Sequence, residues 1–311
     1  MASPSSPASP VKDNADYVLA VEQLAHGAFA ERRAAVDTLV GLADGYLADT
    51  SLDENTRNTN AQHIINRLCE YIRSPYALAG EYDVLTRTPV RELPAEQEPT
   101  RYRADRDALA QEAQVRGHIL GSIHERVQYL RRAESDTPQE SLEALRPGRW
   151  SHLTFDFTGA DFFYPAYLSE SYWGAGANFS GCSYRETANL SASVYAAAAH
   201  FTASTYYGKA IFRNSVYRAA VHMSGCDYRG QVHAQATVYE AEANLSENTY
   251  REGADCTRST WRGRLNASGC TYGRDANFAE CTWGCDVTLA GCTYEKDAVF
   301  MSTAFHGTAH M

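Results

Sequence analysis

No run of about twenty apolar residues occurs in this 311-residue sequence, although hydrophobic residues make up 44% of it. No membrane-spanning helix is therefore expected. The opening stretch, Met1-Ala-Ser-Pro-Ser-Ser-Pro-Ala-Ser-Pro10, lacks the apolar core of a secretory signal. Residues 1–15 read as a disordered tail, and the chain as soluble and cytoplasmic. A basic stripe is also missing. The formal net charge is −10, and residues 149–311 hold 12 Lys/Arg against 15 Asp/Glu, so direct binding to nucleic-acid phosphates is not expected. There is no phosphate loop, no serine nucleophile elbow and no His-Glu-x-x-His. Carboxylates form no recognisable acid–base pair, and Asp156 and Asp161 read as capping or turn residues. The eight cysteines include Cys281-x-x-x-Cys285, which is not a zinc-finger spacing, and no second pair completes one. These absences leave no catalytic constellation, no metal site and no cofactor.

What is present is a period. An aromatic residue returns every eleven positions, from Phe162 and Trp173 through Tyr184, Tyr195 and Tyr206 to Trp283, Tyr294 and Phe305, with no insertion. A short fixed period means stacked, nearly identical turns of chain. Position 1 of each unit is small or β-branched, as in Ala177 and Val221. Position 3 is mostly bulky, as in Phe179, Leu190, Phe201, Phe212, Leu245, Phe278, Leu289 and Phe300. Position 6 is small, and position 8 is the aromatic. In-out alternation over three residues is the strand signature, and strands that short become stable only when coils stack about 4.8 Å apart. A flattened eleven-residue ring leaves no room for Phe and Tyr together. Two units per coil give a four-sided ring of twenty-two residues, and the repeat makes seven coils. The expected core is the position-3 set above together with Tyr184, Tyr206, Tyr228, Tyr250, Tyr272 and Tyr294.

The segment Ala177-Asn-Phe-Ser-Gly-Cys-Ser-Tyr184 resembles the pentapeptide-repeat proteins. It is closest to a bacterial subset with eleven-residue units of the type A-D-F-S-G-A-T-F-S-G-D. The resemblance covers residues 155–308 and implies a right-handed, four-sided parallel β-helix. One departure is consistent, because that subset carries Phe at position 8 and this chain mostly Tyr. A buried tyrosine hydroxyl needs a partner. Either the hydroxyls bond one another or the backbone, or the ring tips toward the surface; the interior placement is the expectation.

Residues 16–149 read as helical. Val18, Val21 and Leu24 share one stripe, as do Ala35, Leu39 and Leu42. A third helix over 53–72 carries Ile64, Ile65, Leu68 and Tyr71. After a link with Pro89, Pro94 and Pro99, a fourth over 104–132 carries Val115, Ile119, Ile123 and Val127. Pro138 and Pro147 bracket a short last helix. Such helices pack as a HEAT- or armadillo-like stack. Ala20-Val-Glu-Gln-Leu24 and Leu68-Cys-Glu-Tyr-Ile-Arg73 are also similar to the segment before the repeats in the same subset. The expected fold is thus this helical segment followed by the β-helix over 150–308.

Several outward residues could be taken for chemistry. His200 and His222, one coil apart at position 2, should stand about 5 Å apart on one face, with His233 on the opposite side. They read as a solvated pair in a slot also filled by Asn178 and Asn266. The Asn-x-Ser triplets at Asn178, Asn189, Asn244 and Asn266 are by-products of the repeat. Thr249, Thr271 and Thr293 should share one face, and Thr260 and Thr282 the other. Cys182, Cys226, Cys270, Cys281 and Cys292 sit at the small position 6 and read as buried thiols. The expected function is a non-enzymatic scaffold or adaptor for an unidentified protein partner. The alternative is a DNA mimic acting on a type II topoisomerase, a role that some members of the resembled family fill. A β-helix carbohydrate-active enzyme is third. Nothing in the sequence sets the oligomeric state.

Overall fold

The computed structural model describes residues 10–89, 98–131 and 145–310. Among them are five α-helices, α1 (Ala15–His26), α2 (Phe29–Ala48), α3 (Glu54–Arg73), α4 (Tyr82–Arg87) and α5 (Pro99–Val127), followed by a parallel β-solenoid of about seven turns. By packing the chain forms two compact units. One holds residues 1–72 and 89–119, and the other holds 73–88 and 120–311. The change from helix to strand near residue 150 is therefore not where the packing divides.

In the first unit each helix begins where the backbone finds a partner. The Asn14 Oδ1 accepts from the Asp16 and Tyr17 amides, and Asp53 accepts from the Thr56 amide, so orphan amides of the first turns are satisfied. Pro99 opens α5, where its missing N–H costs nothing. The stripe on α1 differs from the expected one. Tyr17, Ala20 and Leu24 are buried, whereas Val18 is 51% exposed. The Tyr17 hydroxyl bonds His63 Nε2 at 2.9 Å, while Leu24 of the expected stripe is buried and Val21 half-buried. On α2, Ala35, Val36, Leu39, Val40 and Ala43 are buried, and Leu42 is half-buried. Val115 and Ile119 on α5 are fully buried. The same helix buries Glu112 and Arg116 at 2% and 1% exposure. Glu112 Oε1 accepts from Arg116 Nε at 2.8 Å, and its Oε2 takes Arg32 and, at 3.1 Å, the Tyr71 hydroxyl. Arg116 also donates to the Ile72 carbonyl at 2.7 Å, so every buried charge is paired and hydrogen-bonded.

The expected tail falls largely on residues outside those described, but Pro10–Asp13 form a 3₁₀ turn with Val11 fully buried. Pro94 and most of the expected last helix also lie outside. Within that helix, Leu145–Arg146 form a strand, β2, antiparallel to Leu130–Arg131, β1.

The solenoid has four walls of parallel two-residue strands, one of eight strands and three of seven. The first wall starts at Phe155–Asp156, the second at Asp161–Phe162, the third at Ala166–Tyr167 and the fourth at Tyr172–Trp173. Equivalent residues pair at a spacing of twenty-two, as in Ala177↔Ala199 and Tyr184↔Tyr206. Phe179 accordingly stacks on Phe201, ring centroids 5.1 Å apart. The four-sided ring follows from this register. The aromatics of position 8 point inward. Tyr184, Tyr206, Tyr228, Tyr250 and Tyr272 are all buried, in one column with centroids 4.6 to 4.9 Å apart. Phe179, Leu190, Phe201, Phe212, Phe278 and Leu289 are buried as well. Three residues of the expected core are only half-buried. Tyr294 and Phe300 have a coil packed on one side alone, and Leu245 is the third.

The first coil is closed by residues of its own unit. Trp150 is fully buried, its amide donates to the Arg126 carbonyl, and the Arg126 guanidinium lies 5.1 Å over its ring. The Tyr129 hydroxyl donates to the Ala192 carbonyl at 2.7 Å, Arg73 pairs with Asp156 at 2.6 Å, and Tyr76 stacks on Phe163. Terminal coils of solenoids need such a cap to shield the core from water.

Candidate interaction surface

Every coil corner between positions 3 and 6 places position 5 at positive φ. Gly159, Gly181, Gly225, Gly269 and Gly291 supply it without strain, but Glu170, Ala192, Ala203, Asn214, Ala236, Glu247, Arg258, Glu280 and Ser302 adopt it too. Such turns need φ > 0 at their third residue. The corner also takes the position-6 amide and the position-3 carbonyl out of the regular ladder. The position-6 side chain satisfies both. Ser204 Oγ donates to the Phe179 carbonyl of the preceding coil at 2.8 Å and accepts the Cys182 amide at 3.2 Å. Ser193, Ser215 and Ser259 repeat the contact to the carbonyl. The Cys182, Cys226 and Cys270 thiols each reach the corresponding carbonyl at 3.1 Å. Position 6 therefore needs a small donor, and the apolar thiol of the sequence reading is a hydrogen-bonding one. Burial pushes the thiols of Cys182 and Cys270 up to about 12, and those of Cys226 and Cys281 to about 11. Cys285 alone among the cysteines is exposed.

The outward residues fall where the register puts them. His200 and His222 stack on the first wall at 5.0 Å with an interplanar angle of 12°, and His233 lies on the third wall beside Asp255. Burial, then the neighbouring His222, lowers the pKa of His200. No group of three or more metal-capable side chains occurs among the described residues. Thr249, Thr271 and Thr293 line the second wall, and Thr260 and Thr282 the fourth. The Asn-x-Ser triplets have a local role. Asn178, Asn189, Asn244 and Asn266 each accept the amide two residues on, an Asx turn that starts the corner.

One corner differs from the rest. After the second wall, position 9 carries Arg185, Tyr207, Arg229 and Arg251 in successive coils. The Tyr207 ring is held between two guanidiniums, at 4.6 Å from Arg185 and 4.4 Å from Arg229. Asp161 binds Arg185 through both oxygens at 3.2 Å. Asp227 accepts from Arg251 at 2.9 and 3.1 Å and from Arg229 at 2.8 Å. Those guanidiniums, Arg251 foremost, hold the Asp227 carboxyl below its ordinary range. Lys209 adds an exposed cation beside them. Glu186 and Glu252 directly follow Arg185 and Arg251, so the corner is mixed in charge, and Arg229 and Arg251 remain 44% and 57% exposed. Behind Tyr207 and Arg229 the chain is bare, since a Cβ at Gly208 or Gly230 would meet a carbonyl oxygen at 2.5 or 2.3 Å. Ion pairs fix the arginines, and the free edges of their guanidiniums face outward. This corner was not foreseen from the sequence. Its signal was the run of Arg and Tyr at a spacing of twenty-two, which appears only when the units are read two at a time.

Repeating coils, a stacked aromatic core and a patterned outer surface define a β-solenoid repeat protein preceded by helices. No family model, curated protein or solved structure matches the chain. No helix among the described residues is long and apolar enough to cross a membrane.

Proposed function

We propose that the chain is a non-enzymatic binding scaffold related to the pentapeptide-repeat proteins, and that it engages a protein partner carrying an acidic surface. The observation that carries this reading is the Arg185–Tyr207–Arg229–Arg251 corner. A pre-ordered arginine set loses little side-chain entropy on binding, and aromatic and Arg residues are the side chains that dominate interface energy. The solenoid repeats backbone geometry from coil to coil, so such a ladder meets its partner as a rigid edge. A DNA-mimic role is the weaker reading, because it needs a strongly acidic rod and residues 149–311 hold 12 Lys/Arg against 15 Asp/Glu.

The test compares the intact chain with a Tyr207→Ala/Arg229→Glu/Arg251→Glu variant in affinity capture from its own host. Proteins that bind the intact chain, elute as salt rises and are lost with the variant support the reading. Equal capture by both chains overturns the role of the corner. A DNA-supercoiling assay with added protein separates the alternative, since inhibition of the topoisomerase there replaces the scaffold with the mimic.

A further inference from the structure

A cleft of about 410 Å³ lies within the first compact unit, between the 3₁₀ turn Pro10–Asp13, α1 and α3. That volume falls in the range of small-molecule sites. Three local features build its walls. On α3, His63, Asn66, Arg67 and Glu70 recur at steps of three and four and so share one face. On α1, Tyr17 and Val21 are four residues apart and give an apolar wall, Tyr17 being buried and Val21 half-buried. The turn brings Lys12 to the cleft. It is anchored by the fully buried Val11, whose carbonyl accepts from the Asn14 amide at 3.2 Å.

The charges around the cleft do not balance. Arg67 donates to Glu70 at 2.8 Å, and Glu70 is the one carboxylate among the described residues that line it. Lys12 has no carboxylate partner among the described residues. A surplus cation therefore faces the cleft, in a chain whose net charge is −10. His63 adds no further charge at neutral pH. The Tyr17 hydroxyl bonds its Nε2 at 2.9 Å, the two rings stand 5.5 Å apart, and burial first, then the Lys12 charge, lowers its pKa. A cleft lined by one sign of charge on apolar walls concentrates counter-ions.

We propose that this cleft binds a small organic oxyanion, a carboxylate or a phosphate ester with an apolar body. Lys12 and Arg67 pair with the anionic group, and the Asn66 amide donates to it. The body of the ligand lies against Tyr17 and Val21. Arg67 keeps its bond to Glu70, because a guanidinium has five N–H donors to share. A bare inorganic anion leaves the apolar wall unused, and a neutral aromatic leaves Lys12 unpaired. The site is separate from the solenoid corner, so each can fail without the other.

Titration of the full chain with phenyl phosphate and with benzoate, followed by amide NMR shifts, tests this. Saturable shifts at residues 10–22 and 63–70 are expected with at least one of them, and the pair tells phosphate from carboxylate. Benzyl alcohol, which has the body without the charge, and inorganic phosphate, which has the charge without the body, should each bind at least about fivefold more weakly. Lys12 and Arg67 are both exposed, so Lys12→Ala/Arg67→Ala should keep its helical circular dichroism and lose at least about fivefold in affinity. Glu70→Gln removes the opposing carboxylate and should tighten binding about twofold. No saturable shift with either probe overturns the proposal. So do shifts that survive the double variant, binding unchanged or weakened by Glu70→Gln, and a neutral or inorganic probe that binds as tightly as the organic anions.

Discussion

The helical unit and the solenoid bury polar side chains for different reasons. In the helical unit the buried polar groups are chiefly ions, Glu112 and Arg116, which tie α5 to Arg32 on α2 and to the end of α3. In the solenoid most of them, Ser171, Ser193, Ser204, Ser215, Thr237, Asn248 and Ser259, are at position 6, and Ser191 and Ser246 are at position 4. The contrast follows from the backbone. A helix satisfies its own interior amides and carbonyls, so its buried side chains are free to bond one another. A coil that turns four corners in twenty-two residues breaks its ladder at each corner, and side chains must complete it.

The largest effects should come from each unit's own anchor. Glu112→Ala leaves Arg116 buried without its carboxylate, and a loss of about 3–5 kcal/mol is expected in denaturant titration followed by the helical circular-dichroism signal. Phe201→Ala, at a site packed by Phe179, Tyr195 and Phe212, should cost the solenoid about 3–5 kcal/mol. A loss under about 1 kcal/mol in either variant removes that residue from the role given to it.

Thiol chemistry sharpens the contrast between the inside and outside of the solenoid. Cys285 should react first with a thiol reagent in the native state. Cys182 and Cys270, held near 12, should be slower by at least about a thousandfold, since the thiolate is the nucleophile. Rapid labelling of either would show that its wall opens.

Removing a corner bond has a smaller effect. Ser204→Ala orphans the Cys182 amide and weakens the contact to the Phe179 carbonyl, at a cost of about 1–3 kcal/mol. Ser204→Cys keeps a donor of the kind that already serves at 182 and 226, so it should melt closer to the parent than the alanine variant. Equal melting of the two variants would reduce position 6 to a matter of size.

The outer corner responds to pH. Asp227 has a folded pKa below its unfolded value of about 3.9, so it contributes stability above about pH 4 that is lost as pH falls through the folded value. Partial exposure limits this to about 1 kcal/mol. The difference in melting temperature between the parent and Asp227→Asn should therefore shrink on acidification from neutral pH. A difference that stays constant places Asp227 outside the ion-pair network. The smallest effect is local strain. Ala203 sits at φ 56°, and Ala203→Gly should stabilise the coil by about 0.5 kcal/mol, relief of the left-handed strain being partly offset by the entropy of glycine. A destabilised variant would mean that the corner tolerates Ala without strain.

The sequence by itself determined the period, the two units per coil, the inward aromatics and the helical stripes on α3 and α5. These depend on side-chain size at fixed spacings, and a short repeat states them many times over. It misassigned Val18 on α1, because Val18 and Tyr17 are both apolar enough to face inward, and it is Tyr17 that lies with Ala20 and Leu24 on the buried side. It read position 6 as a place for anything small. Serine, threonine and cysteine share smallness with alanine, and only the corner geometry shows that the donor is what they have in common. The Arg185–Tyr207–Arg229–Arg251 corner is a tertiary outcome. It joins residues twenty-two apart along the chain, and it is the stacking of coils about 4.8 Å apart that turns that separation into contact.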